Sequence, residues 1–176
     1  MMAVKFEGWL AALLGQSETE VESLLRSTMA LHFLIAWSLF ESKCFGGCQS
    51  FAKLDEFADR LVNKEAFVAA NVSGASEHFH KRYQEASLYK HLMQKQKSPR
   101  MDALVKAPFA SLPEQDIVFL MAATACRFRN NMFHGNKGVG SWLQYETEIE
   151  LCTISMRRFV SHAESIAPTM NVPRGA

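Results

Sequence analysis

The chain has 176 residues, of which 48% are hydrophobic and 21% are charged, and its formal net charge is +1. This length and composition are typical of one soluble globular domain with a real core. The balanced charge excludes a protein that attracts nucleic acid by its overall charge, so any such site must be a local patch. We expect residues 1–167 to form a single domain and residues 168–176 to form a flexible tail.

The N-terminal residues carry no signal-peptide pattern, and the most apolar run, residues 29–40, is shorter than the roughly 20 residues that a membrane span needs. We therefore expect a cytoplasmic protein that has no membrane partner. Only two of the cysteines, Cys44 and Cys48, are close in sequence. A zinc site there would need two further ligands, for which only His78 and His80 offer themselves. We predict neither a metal site nor a cofactor.

Apolar residues recur at helical spacing through most of the chain, and no stretch has the alternation of a strand. The pattern predicts an all-α fold, an up-and-down bundle of four to five helices with a short N-terminal helix. The predicted helices span residues 3–14, 18–44, 50–70 and 75–96, followed by one that opens at 111–114 and one that opens at 141–144.

Two helix starts have the pattern of a capping box, Ser17 with Glu20 and Ser111 with Glu114. The run 29–40 is apolar enough to predict a helix that is buried nearly all round. A turn is predicted at residues 71–74. The predicted inward face of the second helix is Val21, Leu24, Leu25, Thr28, Leu31, Ile35 and Leu39.

Polar chemistry is concentrated where the helix that opens at 111–114 ends, in the run Arg127-Phe128-Arg129-Asn130-Asn131-Met132-Phe133-His134-Gly135-Asn136-Lys137-Gly138. Gly135 is a natural left-handed residue and should stop this helix. His134 follows Arg129 by five residues, about 7.5 Å along the axis. At a loosened helix end the histidine can swing back towards the long arginine, so the two side chains can form one site.

Such a pair suits the cleavage of an RNA phosphodiester. Arginine keeps its charge, and its planar fork matches phosphate oxygens. Histidine exchanges a proton near neutral pH, so His134 would assist attack by the 2′-hydroxyl or protonate the leaving oxygen. Arg129 would stabilise the charge that gathers at phosphorus. No metal is needed, because RNA carries its own nucleophile.

A structural interpretation of the same residues remains open. A histidine at a helix C-terminus interacts favourably with the helix dipole, and an arginine there can cap carbonyls. Lys137 either adds positive charge to the site or is a solvated turn residue. Arg127 is either a second phosphate contact or a surface charge, and the helical pitch turns it about 160° away from Arg129.

The order Arg129-Asn130-x-x-x-His134, late on a core helix of a small helical domain, resembles the motif of the HEPN superfamily. The resemblance in element order covers residues 18–166. It implies a metal-independent ribonuclease that forms a homodimer, with two motifs facing one composite cleft and Asn130 orienting the arginine, the histidine or the phosphate. It also implies a role in toxin–antitoxin or anti-phage systems, with an antitoxin or defence protein as partner. Some family toxins have a modifiable tyrosine two residues after the histidine, where this chain has Asn136.

Two further features accompany the motif. Trp37 and Glu41 are four residues apart and share a helix face, so Glu41 either holds the Arg129 fork in place or is a solvated carboxylate. Cations and aromatic rings are interleaved from residue 80 to 106, which is typical of a path for single-stranded RNA but also of a solvated helix face. Within this stretch the candidate RNA-binding residues are Lys81, Arg82 and Lys90.

The sequence leaves a second function open, in which the chain is a non-catalytic helical module that binds a protein partner or a nucleotide. The two functions differ in the expected placement of His134. An open, basic cleft around the histidine favours the nuclease, whereas a histidine buried and capped by its own chain favours the binding module.

Overall fold

The computed structural model describes residues 5–47, 50–133 and 145–167. Over these ranges the chain folds into helices and contains no strand, which confirms the predicted all-α class. The α-helices are α1 Phe6–Leu14, α2 Glu18–Arg26, α3 Met29–Phe45, α4 Leu54–Asn63, α5 Ala70–Tyr83, α6 Ala86–Met93, α7 Pro99–Leu104, α8 Glu114–Phe133 and α9 Glu146–Ile166, with 3₁₀ turns at Phe51–Lys53 and Phe109–Ser111.

Five of these helices, α3, α4, α5, α8 and α9, enclose the main core, and the shorter α6 and α7 pack against its side. The helices are thus shorter and more numerous than the sequence pattern suggested. Aromatic rings fill the centre, where Phe40 lies 5.5 Å from Phe57 and 5.6 Å from Phe159, measured between ring centroids. Across the described ranges no helix is both long enough and apolar enough to cross a bilayer.

The prediction of one long helix over residues 18–44 is wrong, because the helix is interrupted at Ser27 and Thr28, between α2 and α3. Serine and threonine compete for backbone hydrogen bonds and are weak helix formers. The break lets the buried side chains of α1 and α2, Leu10, Ala11 and Val21, form a small cluster of their own, separate from the main core. The predicted capping box at the start of α2 is present.

The predicted inward face of this segment is also wrong for α3. The buried residues of α3 are Phe33, Ala36, Trp37, Phe40 and Cys44. Three residues that we expected to face inward are about half exposed, Leu31 at 54%, Ile35 at 50% and Leu39 at 44%. Because α3 has apolar residues on every side, its periodicity did not show which side meets the core. The helix is therefore buried on one side only, not nearly all round.

The middle of the chain also differs from the prediction. The helix predicted for residues 50–70 ends at Asn63, and Ala66 takes a left-handed φ of 55°. The turn predicted at residues 71–74 is helical and belongs to α5. The helix predicted for residues 75–96 is divided into α5 and α6.

The hydrogen bonds near the starts of α7 and α8 are only partly predictable from the sequence pattern. The Ser98 hydroxyl accepts from the Met101 amide, and Pro99 occupies the first turn of α7, so a helix opens there. The capping box predicted at Ser111 does not open α8. The Ser111 hydroxyl instead donates to the Pro108 carbonyl, and α8 begins at Glu114.

Candidate active site

Arg129 and Asn130 of the motif lie near the C-terminal end of α8, which the core holds from one side. Phe128 and Met132 are buried, and the Phe128 ring packs 5.8 Å from that of Phe79 on α5, measured between centroids. The helix is described as far as Phe133. His134 and Lys137, which we predict as catalytic and supporting residues, lie outside the described residues.

Arg129 and Asn130 contact each other at the α3 side of this turn. The Arg129 Nη1 donates to the Asn130 Oδ1 over 3.0 Å, and the guanidinium carbon lies 5.5 Å from the centre of the Trp37 ring. Both motif residues are half-buried, whereas Trp37 is buried. A cation over an indole face is attracted by the ring quadrupole. The Arg129 guanidinium is therefore held by the Trp37 ring and by the side-chain amide of Asn130.

Glu41 follows Trp37 by one helical turn on α3 and is half-buried. Residues four apart on a helix are neighbours, so this carboxylate is on the face of α3 that carries the support for Arg129. A role of Glu41 in holding the arginine fork stays a prediction.

Arg127 is neither a phosphate contact nor a surface charge. It is only 7% exposed, and its guanidinium donates to the carbonyl oxygens of Leu92 over 3.1 Å and of Met93 over 2.9 Å. Asn131, one turn on, accepts from Arg127 and donates to the Leu92 carbonyl over 3.0 Å. These two side chains cap the last turn of α6, whose carbonyls have no partners within the helix.

The polar residues of the motif therefore divide between two faces of α8. Arg129 and Asn130 lie at the α3 side and are partly accessible, whereas Arg127 and Asn131 bind the end of α6. This division agrees with the angle of about 160° that the helical pitch places between the two arginines.

The three predicted RNA-binding residues differ in their surroundings. Lys81 on α5 and Lys90 on α6 are exposed. Arg82 pairs with the buried Glu148 of α9, with 2.9 Å between its Nη1 and the carboxylate oxygen. Its guanidinium carbon also lies 5.8 Å from the centre of the Tyr145 ring. Arg82 therefore joins α5 to α9, and an RNA contact by this residue stays a prediction.

The stretch of residues 80–106, which is rich in cations, borders α8 at a small cavity of about 30 Å³. Its walls come from α5, α6, α8 and the start of α9, and include Arg82, His91, Phe128, Asn131 and Tyr145. Tyr83 lines the same cavity, and burial raises the pKa of its phenol well above the ordinary value. The phenol stays protonated at neutral pH, so it does not serve as a base.

The two histidines considered as zinc ligands have other contacts. The buried His80 shares its Nε2 proton between the carbonyls of Leu104, at 3.0 Å, and Ala107, at 2.9 Å. The His78 Nε2 lies 3.7 Å from the Glu148 carboxylate. In the part of the chain that the structure describes, no three His, Cys, Asp or Glu residues are grouped to hold a metal ion.

Sequence reasoning missed the contacts of two residues of this region. The sequence pointed to Trp37 but not to its contact with Arg129, which joins positions 92 residues apart. Glu148 was missed altogether, although a signal existed. It stands one turn before the buried Cys152, so helical spacing already places a carboxylate at the edge of the α9 core face.

Of the predicted pair, the described part of the chain contains Arg129 but not His134. A half-buried guanidinium can donate hydrogen bonds to phosphate oxygens from its accessible side. Comparisons with protein-family models, with curated proteins and with solved structures find no match to this chain.

Proposed function

We propose that the protein is a metal-independent endoribonuclease of the HEPN type. The observation that carries this proposal is the placement of Arg129. Its guanidinium is half-buried, bonded to Asn130 and seated over Trp37, on the last described turn of a core helix. His134 follows five residues after Arg129, as in the motif that the sequence resembles.

In the proposed reaction the scissile phosphate binds to Arg129, and Asn130 keeps the fork in one orientation. His134 accepts the proton of the 2′-hydroxyl or supplies a proton to the leaving oxygen. The 2′ oxygen forms a bond to phosphorus while the bond to the 5′ oxygen breaks. The products are a 2′,3′-cyclic phosphate and a 5′-hydroxyl end. Arg129 stabilises the negative charge on the phosphoryl oxygens as it develops.

We propose that the RNA strand approaches over α5 and α6. The exposed Lys81 and Lys90 lie on these helices, beside the face of α8 that carries Arg127 and Asn131. A strand that passes over the end of α8 would then reach Arg129 on the opposite face. Exposed lysines attract phosphates without reading sequence. Arg82 contributes less, because Glu148 already neutralises its charge.

We further propose a homodimer in which two motifs share one cleft, and a role as a toxin or anti-phage effector with a restraining partner protein. Both proposals come from the family resemblance. A shared cleft would bring a second Arg129 and a second His134 to one phosphate, so that one histidine acts as base while the other acts as acid.

The first test compares RNA cleavage in EDTA by the intact protein, Arg129→Ala and His134→Ala. The arginine variant should lose about 10²–10³-fold in rate, because it removes a donor to the developing charge. The histidine variant should lose about 10²–10⁴-fold, the usual contribution of a positioned acid or base. Gel analysis of the cleaved ends should find 2′,3′-cyclic phosphates.

Matched controls are Arg26→Ala and His32→Ala, which remove the same residue types from exposed positions on α2 and α3. Both controls should cleave at the rate of the intact protein. Cleavage that persists in both motif variants would show that the active site lies elsewhere. Cleavage that needs a divalent metal would refute the proposed chemistry.

One observation favours the second candidate, a non-catalytic binding module. Glu148 neutralises Arg82, and the net charge of the chain is only +1, so neither Arg82 nor the overall charge attracts a long RNA to the motif. A folded protein that binds RNA or a nucleotide through Arg129 without cleaving any RNA would support this module over the nuclease.

A further inference from the structure

A groove between α6 and α7, beside the end of α5, combines an apolar floor with a polar rim. Its volume is about 620 Å³, within the roughly 300–1,000 Å³ of small-molecule sites. We call it the α6–α7 groove; its lining includes Tyr83, Tyr89, Val105, Gln84, Asp102 and Lys106. Tyr83 and Val105 are buried and form the floor. An apolar floor with a few polar groups at the rim is the usual construction of a ligand site.

Tyr89 of α6 and Asp102 of α7 are joined by a hydrogen bond in the lining of this groove. The Tyr89 hydroxyl donates to the Asp102 Oδ1 over 2.6 Å. Burial and this bond raise the pKa of the Tyr89 phenol above its ordinary value, so the hydroxyl stays protonated. The ion pairs of the described residues do not include Asp102. Because an ionised carboxylate can accept about four hydrogen bonds, Asp102 can also accept from a ligand.

Three exposed lysines surround the groove. Lys106 is part of its lining. Lys81 stands three residues before the lining residue Gln84, so the two are helical neighbours. Lys90 stands four residues after Ala86, which also lines the groove. Lysines attract phosphates without reading the base, so these surroundings favour a ligand that carries several phosphates and a planar ring.

The α6–α7 groove adjoins the small cavity at the end of α8, because Tyr83 lines both of them. Phe128 and Asn131 of α8 line that cavity as well. The groove therefore lies beside the helix end that carries the motif. An RNA strand that follows α5 and α6 towards the end of α8 passes over this groove.

We infer that the α6–α7 groove binds one base of the RNA strand and that Asp102 selects guanine there. The inference rests on the proposed function, because the base belongs to the strand that the motif would cleave. The half-buried Tyr89 ring stacks on the bound base. Stacking on an aromatic ring tolerates every base, so the selection of one base depends on the hydrogen bonds to Asp102.

Asp102 favours guanine because of the donors that the four bases present along their Watson–Crick edges. An ionised carboxylate only accepts hydrogen bonds. Guanine presents two adjacent donors, N1–H and the N2 amino group, which match the two carboxylate oxygens. Adenine and cytosine each have a ring-nitrogen acceptor beside their amino group, and uracil has one N–H between two carbonyls. With these three bases, a carboxylate oxygen faces an acceptor, which repels it.

The test measures binding of 2′-O-methyl oligonucleotides, which lack the nucleophile and therefore report binding without cleavage. Fluorescence anisotropy in EDTA compares a short all-uridine strand with strands that have guanine, adenine, cytosine or hypoxanthine at the centre. The guanine strand should bind about tenfold more tightly than the adenine, cytosine and uridine strands, as expected for a bidentate contact to a base edge. Hypoxanthine lacks the N2 amino group and should lose most of this preference.

Two variants separate selection from stacking. Asp102→Asn replaces one acceptor by a donor, so it should remove the preference for guanine over adenine. Tyr89→Leu removes the stacking ring and should weaken the binding of every strand. The control is Glu114→Gln, which changes an exposed carboxylate in the first turn of α8, as Asp102 lies in the first turn of α7. It should keep the guanine preference. Circular dichroism checks the fold of each variant, and the comparison of guanine with hypoxanthine needs no variant.

Three results would overturn the inference. One is equal binding of all strands by the intact protein, and another is a guanine preference that survives in Asp102→Asn. The third is guanosine monophosphate that binds as tightly as the guanine strand, because the groove would then hold a free nucleotide and not a strand. A guanine preference without any cleavage of RNA would support the groove and count against the nuclease alone. Cleavage without a guanine preference would do the reverse.

Discussion

Arg127 and Arg129 have different surroundings because they lie on opposite faces of α8, one against α6 and the other against α3. Arg127 is buried and caps the carbonyls at the end of α6, while Arg129 is half-buried over an indole and bonded to an amide. The sequence predicted that the two would point apart, but not where each would point. The partners of Arg127 are 34 and 35 residues away in the chain, in a segment predicted to continue as helix beyond them.

These two arginines should therefore respond differently to substitution. Arg127→Met should lower the free energy of unfolding by about 2 kcal/mol or more, because buried carbonyls at the end of α6 lose charged donors. Arg129→Met should cost less than about 1 kcal/mol, since its side chain keeps contact with water and its partner amide can be solvated. Urea denaturation measures both values. Equal losses would contradict the structural role given to Arg127.

At the scale of single helices, the capping box at the start of α2 was predicted correctly from the sequence. The Ser17 amide and hydroxyl each donate to the Glu20 carboxylate over 2.8 Å, and the Glu20 amide donates to the Ser17 hydroxyl over 3.3 Å. All partners of this capping box lie within one turn, so sequence spacing indicates it, but the same spacing at Ser111 and Glu114 does not open α8 with such a box.

These bonds give a prediction about pH. The Ser17 backbone and side-chain hydrogen bonds lower the pKa of the Glu20 carboxyl in the folded state. Their contribution to stability is therefore present above the unfolded pKa and is lost as the pH falls through the folded one. In Ser17→Ala the Glu20 pKa should rise part of the way to its ordinary value, because the amide donor remains. An NMR titration of the carboxyl measures this shift.

The matched control for this titration is Ser23→Ala, which removes an exposed hydroxyl of α2 that has no place in the capping box. It should leave the Glu20 pKa unchanged. A Glu20 pKa that is equally low with and without the Ser17 hydroxyl would show that only the backbone amide acts on the carboxyl.

Tertiary contacts explain where the helix predictions were wrong. No local signal at residues 71–74 favours a helix, yet Val72 is buried in the main core and the segment is helical. In α3, apolar residues on every side made the periodicity ambiguous, and the packing of Phe33 and Phe40 against other helices decided which side is inner. The candidate site shows the same dependence on tertiary contacts. The motif in the sequence identified Arg129, whereas its contact with Trp37 is visible only in the packed structure.

At the scale of the whole molecule, one arginine joins three helices. Arg100 at the start of α7 donates to Asp116 of α8 over 2.8 Å and to Asp55 of α4 over 2.7 Å. Its guanidinium carbon lies 4.4 Å from the centre of the Phe119 ring. A single side chain therefore links α4, α7 and α8 at one end of the core.

Arg100→Met should lower the free energy of unfolding by about 1–3 kcal/mol, because it removes two charged hydrogen bonds and leaves aspartates facing each other. The control is Arg26→Met, which breaks the exposed pair with Glu22 and should cost less than about 0.5 kcal/mol. Thermal and urea unfolding of both variants measure the difference. A loss no larger for Arg100 than for Arg26 would mean that this link is not a structural one.

The contact between Trp37 and Arg129 has one further consequence, because it ties the motif to helix α3 of the main core. An anion that binds the Arg129 guanidinium only in this arrangement binds the folded chain and not the unfolded one. Such a ligand would raise the free energy of unfolding, by about 2.7 kcal/mol at a hundredfold excess over its dissociation constant. Thermal unfolding would then detect phosphate binding at the motif without any cleavage of RNA.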